Sequence, residues 1–147
     1  MITENLLIET LKHKEIIDFN ICAPLYRLCN DRLFDHLSCS DFICFFNLKY
    51  YGGEPIKIKQ RKKQHVLYLI AMIEEYLKRN HKEYADIWVD SFLKQLQIKK
   101  LEYKKYRYNI DNCLEDASNK TFVDEIIDIF ELRELEVKRR KKKKNDN

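Results

Sequence analysis

Lys62-Lys63-Gln64-His65-Val66-Leu67-Tyr68-Leu69-Ile70-Ala71-Met72-Ile73-Glu74-Glu75-Tyr76-Leu77-Lys78-Arg79 is the stretch that decides the fold. Val66, Leu69, Ile70, Ile73 and Leu77 recur at i, i+3, i+4, i+7 and i+11, which puts them on one side of an α-helix. The spacing predicts an amphipathic helix over 62–79 whose apolar side must be covered by other elements. Ile56-Lys57-Ile58-Lys59, just before it, alternates with period two and reads equally as a short strand or an extended connector.

On the C-terminal side, Ala85, Val89, Phe92 and Leu96 share a face, with Trp88 beside it, and predict a helix from about Lys82 to Leu96. A short turn at Gln97-Ile98 separates it from a basic, tyrosine-rich helix, Lys100 to Tyr108. Asp111 to Asn119 reads as a polar loop. Thr121 with Asp124 resembles a capping box for a last helix that packs Phe122, Ile126, Ile129 and Phe130 inward. On the N-terminal side, helices are expected from Thr3 to Asp18 and from Ala23-Pro24 onward, the latter burying Leu25, Leu28, Leu33 and Phe34. A short helix capped by Ser40-Asp41 would bury Phe42, Ile43, Phe45, Phe46 and Leu48 at the domain centre.

Composition agrees with helices. Only two Gly and two Pro occur, and three of the four fall in Gly52-Gly53-Glu54-Pro55, the one clear break. Apolar residues at 45% suffice for a core, so the expectation is an all-α single helical domain over 1–137. It would hold about six or seven helices and at most one short strand, with a possible sub-division near 50–60 and a basic disordered tail over 138–147. The N-terminal residues resemble no signal peptide and no run is long and apolar enough to span a bilayer, which points to the cytoplasm, or the nucleus in a eukaryotic or viral setting.

Charge is unevenly placed. Residues 1–48 sum to −3, residues 49–107 to +8 and residues 108–137 to −7, before the run Lys138-Arg139-Arg140-Lys141-Lys142-Lys143-Lys144. That tail suits non-specific attraction to nucleic acid or an acidic surface, a nuclear-import signal, or a solubilising extension. The five cysteines (Cys22, Cys29, Cys39, Cys44, Cys113) are odd in number with no C-x-x-C pair, and read as reduced, buried, small apolar residues. His36, Cys39 and Cys44 lack the spacing of a zinc site, so no metal and no cofactor are expected. Glycine-rich phosphate loops, nucleophile elbows and zinc-protease motifs are all missing, and His13, His36, His65 and His81 are scattered. The sequence therefore predicts no enzyme and no catalytic residue.

Lys99-Lys100-Leu101-Glu102-Tyr103-Lys104-Lys105-Tyr106-Arg107-Tyr108 is the candidate binding element. Lys99, Lys100, Lys104, Lys105 and Arg107 suit phosphates, and Tyr103 or Tyr108 suits phosphates or exposed bases. Over Val89 to Tyr108 a helix-turn-helix frame fits, with Phe92, Leu96, Ile98, Tyr103 and Tyr106 at interior positions. Leu93 stands where that frame prefers a small residue, and Gln97 where it prefers Gly. The plainer alternative is a solvated basic helix whose tyrosines pack on the core.

From about Arg61 the layout resembles the C-terminal region of RteC-type regulators of bacterial conjugative transposons. The resemblance runs through Val66-Leu67-Tyr68-Leu69-Ile70, the turn Leu96-Gln97-Ile98, the basic tyrosine stretch and Lys120-Thr121-Phe122-Val123-Asp124-Glu125-Ile126. Where that family tends to be arginine-rich, this chain has Cys113-Leu114-Glu115-Asp116-Ala117. The resemblance implies a helical regulator of element transfer genes that binds DNA. The rival expectation is a non-catalytic helical module of a phage or virus that binds a host protein through an apolar groove around Phe42 to Phe46.

Overall fold

A computed structural model of the chain describes residues 16–49, 56–110 and 119–131. These form helices α1 (Phe19–Cys29), α2 (Cys39–Phe46), α3 (Lys63–Asn80), α4 (Ala85–Gln95) and α5 (Lys100–Tyr108), with a 3-10 turn at Lys82–Tyr84 before α4. Residues 119–131 are also helical and are called α6. Among the described residues there is no sheet, so the architecture is all-α. The segments 1–15, 50–55, 111–118 and 132–147 lie outside the described residues. With them go most of the expected first helix, the Gly52–Pro55 break, nearly all of the 111–119 loop, Cys113 and the basic tail.

Several helix boundaries differ from the sequence reading. Ile16 and Ile17 form a bend, and Asp18 begins α1 by accepting a hydrogen bond from the Asn20 amide, 2.9 Å. The helix thus starts before Ala23-Pro24 and carries Pro24 inside it. It ends at Cys29, so Leu33 and Phe34 are fully buried from the segment beyond it. Ser38, not Ser40-Asp41, caps α2, its Oγ accepting from the Asp41 amide at 3.1 Å. In α6, Asn119 and Lys120 are already helical, so Thr121 does not open that helix.

The Ile56–Lys59 segment does find a partner. Phe34 and Ile58 form an antiparallel bridge, with Asp35 N donating to Lys57 O (3.1 Å) and Lys59 N donating to Leu33 O (2.8 Å). This staple holds the connector against the N-terminal helices. Asn47, with His65 one of two buried polar or charged residues among the described residues, does similar work. Its Oδ1 accepts from the amides of Ile16 (2.7 Å) and Ile17 (2.8 Å), and its Nδ2 donates to Ile43 O at 3.0 Å. Two buried N–H groups that no helix satisfies are thereby paired.

One cluster of buried side chains runs through every helix. At its centre Phe42, Phe45 and Phe46 from α2 meet Trp88 and Phe92 from α4. Phe45 and Phe92 lie 4.6 Å apart between ring centroids, Phe46 and Phe92 5.1 Å, and Trp88 stacks on Phe92 at 4.6 Å. Trp88 Nε1 also donates to Phe46 O at 2.8 Å, satisfying a carbonyl at the end of α2. α6 packs along α3 through Phe122 stacked on His65 and Phe130 against Tyr76. Arg32 pairs with Glu125 at 3.2 Å.

With glycine so scarce, other residues must turn the chain. Asp31, Leu48, Arg61 and Gln97 all adopt positive φ. At the end of α4, Ile98 N donates to Leu93 O (3.0 Å) and Gln97 N to Lys94 O (3.1 Å), closing a Schellman turn on Gln97. A Cβ in this conformation costs about 1 kcal/mol. Gln97 is exposed and its φ is 58°, so nothing but the backbone requires it. Gln97→Gly is therefore expected to raise stability by roughly 0.5 kcal/mol in chemical denaturation, glycine's extra unfolded-state entropy offsetting part of the relief. Gln97→Val should lower it instead.

Candidate nucleic-acid interface

α4, the Gln97 turn and α5 form two consecutive helices packed on α3, and the interior positions of the helix-turn-helix frame are all buried. Phe92, Leu96, Ile98, Tyr103 and Tyr106 lie in the core, as does Leu93. Leu93 fits because its side chain joins the buried cluster beside Phe92. Gln97 supplies the positive φ for which the frame prefers glycine.

The rotation of α5 is fixed from below by Glu74 and Glu75 of α3. Tyr103 is 3% exposed and its hydroxyl donates to Glu74 Oε1 at 2.7 Å. One turn later Arg107 Nε lies 3.4 Å from Glu74 Oε1, and its terminal nitrogen donates to Glu75 Oε1. The Arg107 hydrogen bond holds the Glu75 carboxyl below its ordinary range. At the start of the helix, Lys100 Nζ pairs with Asp90 Oδ1 of α4 at 2.9 Å, which holds the ammonium above its ordinary range. On the side toward the start of α3, Glu102 pairs with Lys63 at 2.8 Å.

These contacts sort the expected binding residues. Lys100 and Arg107 are cations already matched by acids of neighbouring helices. Tyr103 is drawn into the core, so its ring has no face left to stack on a base. The sequence held a signal for this, since Tyr103 falls on an interior position of the frame. Lys99, Lys104 and Lys105 are exposed and have no ion-pair partner among the described residues, and Tyr108 is 90% exposed. A residue not singled out from the sequence joins them. Leu101 is 65% exposed and lies at i, i+3, i+4 and i+7 with Lys104, Lys105 and Tyr108, a single outward stripe. That spacing was visible in the sequence.

Between α5, α3 and α4 lies a cleft of about 520 Å³, lined by Glu74, Asp86 and Asp90 opposite Lys100, Lys104 and Arg107. Lys100 and Arg107 are paired with acids of neighbouring helices, Glu74 and Asp90 among the cleft's own, whereas Lys104 stands where the cleft meets the outward stripe. Lys99 occupies the N-cap of α5, and no side chain caps that terminus. Two lysines at the positive end of a helix are locally unfavourable by a few tenths of a kcal/mol.

Elsewhere, Phe42, Phe45 and Phe46 are fully buried and present no apolar groove. Cys22 and Cys29 are buried as expected, and burial pushes the Cys29 thiol up to about 12. Cys39 is exposed at the first position of α2 and Cys44 is half-buried, contrary to the expectation that the cysteines are core residues. His36 contacts Asp31 and Asn30. Among the described residues no cluster of three or more His, Cys, Asp or Glu is arranged to hold a metal ion, and no helix is long and apolar enough to cross a membrane.

Compared with known proteins, the chain matches no family model, no curated protein and no solved structure.

Burial, and then the hydrogen bond to Glu74, raise the Tyr103 phenol above its ordinary range. A raised folded value means that its stabilisation is complete below the unfolded tyrosine value near 10 and fades as pH rises above it. Tyr103→Phe is expected to cost about 1–2 kcal/mol at neutral pH through the lost charge-assisted bond. It should also flatten the decline in stability above about pH 10, as followed by denaturant titration at several pH values.

Proposed function

We propose that this protein is a small nucleic-acid-binding regulatory module that uses the outer face of α5. The observation that carries the reading is the division of α5's cations. Lys100 and Arg107 are held by neighbouring acids, while Lys104 and Lys105 on the outer face and Lys99 at the N-cap are exposed without an ion-pair partner among the described residues. Unpaired exposed lysines along one helix neutralise phosphates and release counterions, which is the main source of affinity for nucleic acid. Arg107 and Lys100 act by fixing the helix, and Tyr108 adds an exposed hydroxyl at its end.

The burial of every interior position of the helix-turn-helix frame supports α5 as the recognition element. The resemblance read from the sequence would make it a regulatory protein of a mobile element or accessory genome. The tail residues Lys138 to Lys144 add sequence-independent attraction in this reading. No residue is assigned to catalysis, and no cofactor is required.

The test is a salt series of binding to labelled nucleic acid by the full chain and by a Lys99/Lys104/Lys105→Ala variant. The plot of log K against log salt should lose about 0.9 of slope for each phosphate contact removed, or roughly 2.7 in all on duplex DNA. Removal of 138–147 should weaken binding without abolishing it. Binding that follows the tail alone and ignores the three lysines would contradict the proposal.

A further inference from the structure

Leu101 is a leucine in water on a face of lysines. It is the second residue of α5, 65% exposed, with Lys99 and Lys100 just before it and Lys104, Lys105 and Tyr108 on the next two turns. Burial does not explain it, because the core side of this helix is occupied by Tyr103 and Tyr106. Phosphate contact does not explain it either, since an isobutyl group makes no such bond.

The partner that combines phosphates with an apolar point in reach of a helix N-terminus is the major groove of duplex DNA. The groove is about 12 Å wide and admits a helix of about 10–12 Å. It flanks its base edges with phosphates and displays one apolar group, the thymine 5-methyl. In helix-turn-helix docking the first residues of the second helix face the bases, and Leu101 holds that place. Single-stranded nucleic acid fits less well. It is held by several exposed aromatic platforms, whereas Tyr68, Tyr84, Tyr103 and Tyr106 are all buried and Tyr108 is the one strongly exposed tyrosine among the described residues.

We propose that the ligand is thymine-containing duplex DNA and that Leu101 is a specificity-determining residue that packs on a thymine methyl in the major groove. The proposal rests on the reading of α5 as the nucleic-acid contact. Lys99, Lys104 and Lys105 hold the flanking phosphates and set affinity, and Leu101 sets the preference for thymine at one position.

The experiment compares the full chain, Leu101→Ala and Lys99/Lys104/Lys105→Ala on three probes. These are an alternating A–T duplex, the same duplex with deoxyuridine for thymidine, and the corresponding thymine-containing single strand. The full chain should bind the thymine duplex about four-fold more tightly than the uracil duplex, the effect of one buried methyl, and more tightly than the single strand. Leu101→Ala should fold normally, since its side chain is exposed, and should bind both duplexes equally at the level the full chain shows for uracil. The lysine variant should lose affinity for both duplexes and keep the thymine-to-uracil ratio. A ratio of one in the full chain, a ratio that persists in Leu101→Ala, or a preference for the single strand overturns the inference while leaving the contact face intact. No binding to any of the probes, or binding indifferent to the three lysines, overturns the contact face itself and redirects the search to an acidic protein partner.

Discussion

The hydrogen bond from the Trp88 indole to the Phe46 carbonyl, set inside the phenylalanine cluster of α2 and α4, joins the N-terminal helices to the later ones. A carbonyl at a helix end must find a donor, and in an apolar interior the cost of failure is about 1–3 kcal/mol. Trp88 meets that demand while its ring stacks on Phe92, so one residue both fills the core and closes α2. Nearby, Asn47 pairs the two amides of the Ile16-Ile17 bend and so fixes the entry into α1. The interior is thus held by a few specific polar contacts embedded in close-packed apolar side chains, and these set the platform on which α3 to α5 are displayed.

On that platform Glu74 governs the presentation of α5. It receives the Tyr103 hydroxyl and faces Arg107, one turn apart on the same side of α5. Both groups must point at α3, and helical geometry then turns Leu101, Lys104, Lys105 and Tyr108 outward. A basic helix left to itself would have no preferred rotation. Here the acids of α3 and α4 hold two cations and so orient Lys104 and Lys105, with Lys99 exposed just before the helix, and a charge pattern that looks uniform in sequence becomes a face with a direction.

The sequence disclosed most where periodicity was long. α3 was expected over 62–79 and spans Lys63–Asn80, and α5 spans Lys100–Tyr108 as expected. Short helices were less legible because several polar residues competed for their starts. Asp18 and Ser38 take the caps through local bonds to the Asn20 and Asp41 amides, one of several local choices that the sequence offers at these starts. The pairing of Phe34 with Ile58 was hidden for a different reason, since it joins distant segments. At the candidate interface the basic residues were visible at once. Their division into those paired and those without an ion-pair partner among the described residues was not, because Glu74, Glu75 and Asp90 reach them from other helices. Leu101 carries no signal of its own in the sequence, because a single leucine in a helix is ordinarily core; its exposure has meaning because Tyr103 and Tyr106 fill the inner side.

The most direct test of the central claim, that the outer stripe of α5 is the contact face, is a nitrogen-15 NMR titration of the full chain with an alternating A–T duplex at near-physiological salt. The account predicts that amide shifts change first and most at Lys99, Leu101, Lys104, Lys105 and Tyr108, while Trp88, Asn47 and the α1–α2 amides stay in place. Changes confined to the 138–147 tail, or centred on the Arg32–Glu125 pair at α6, would contradict it.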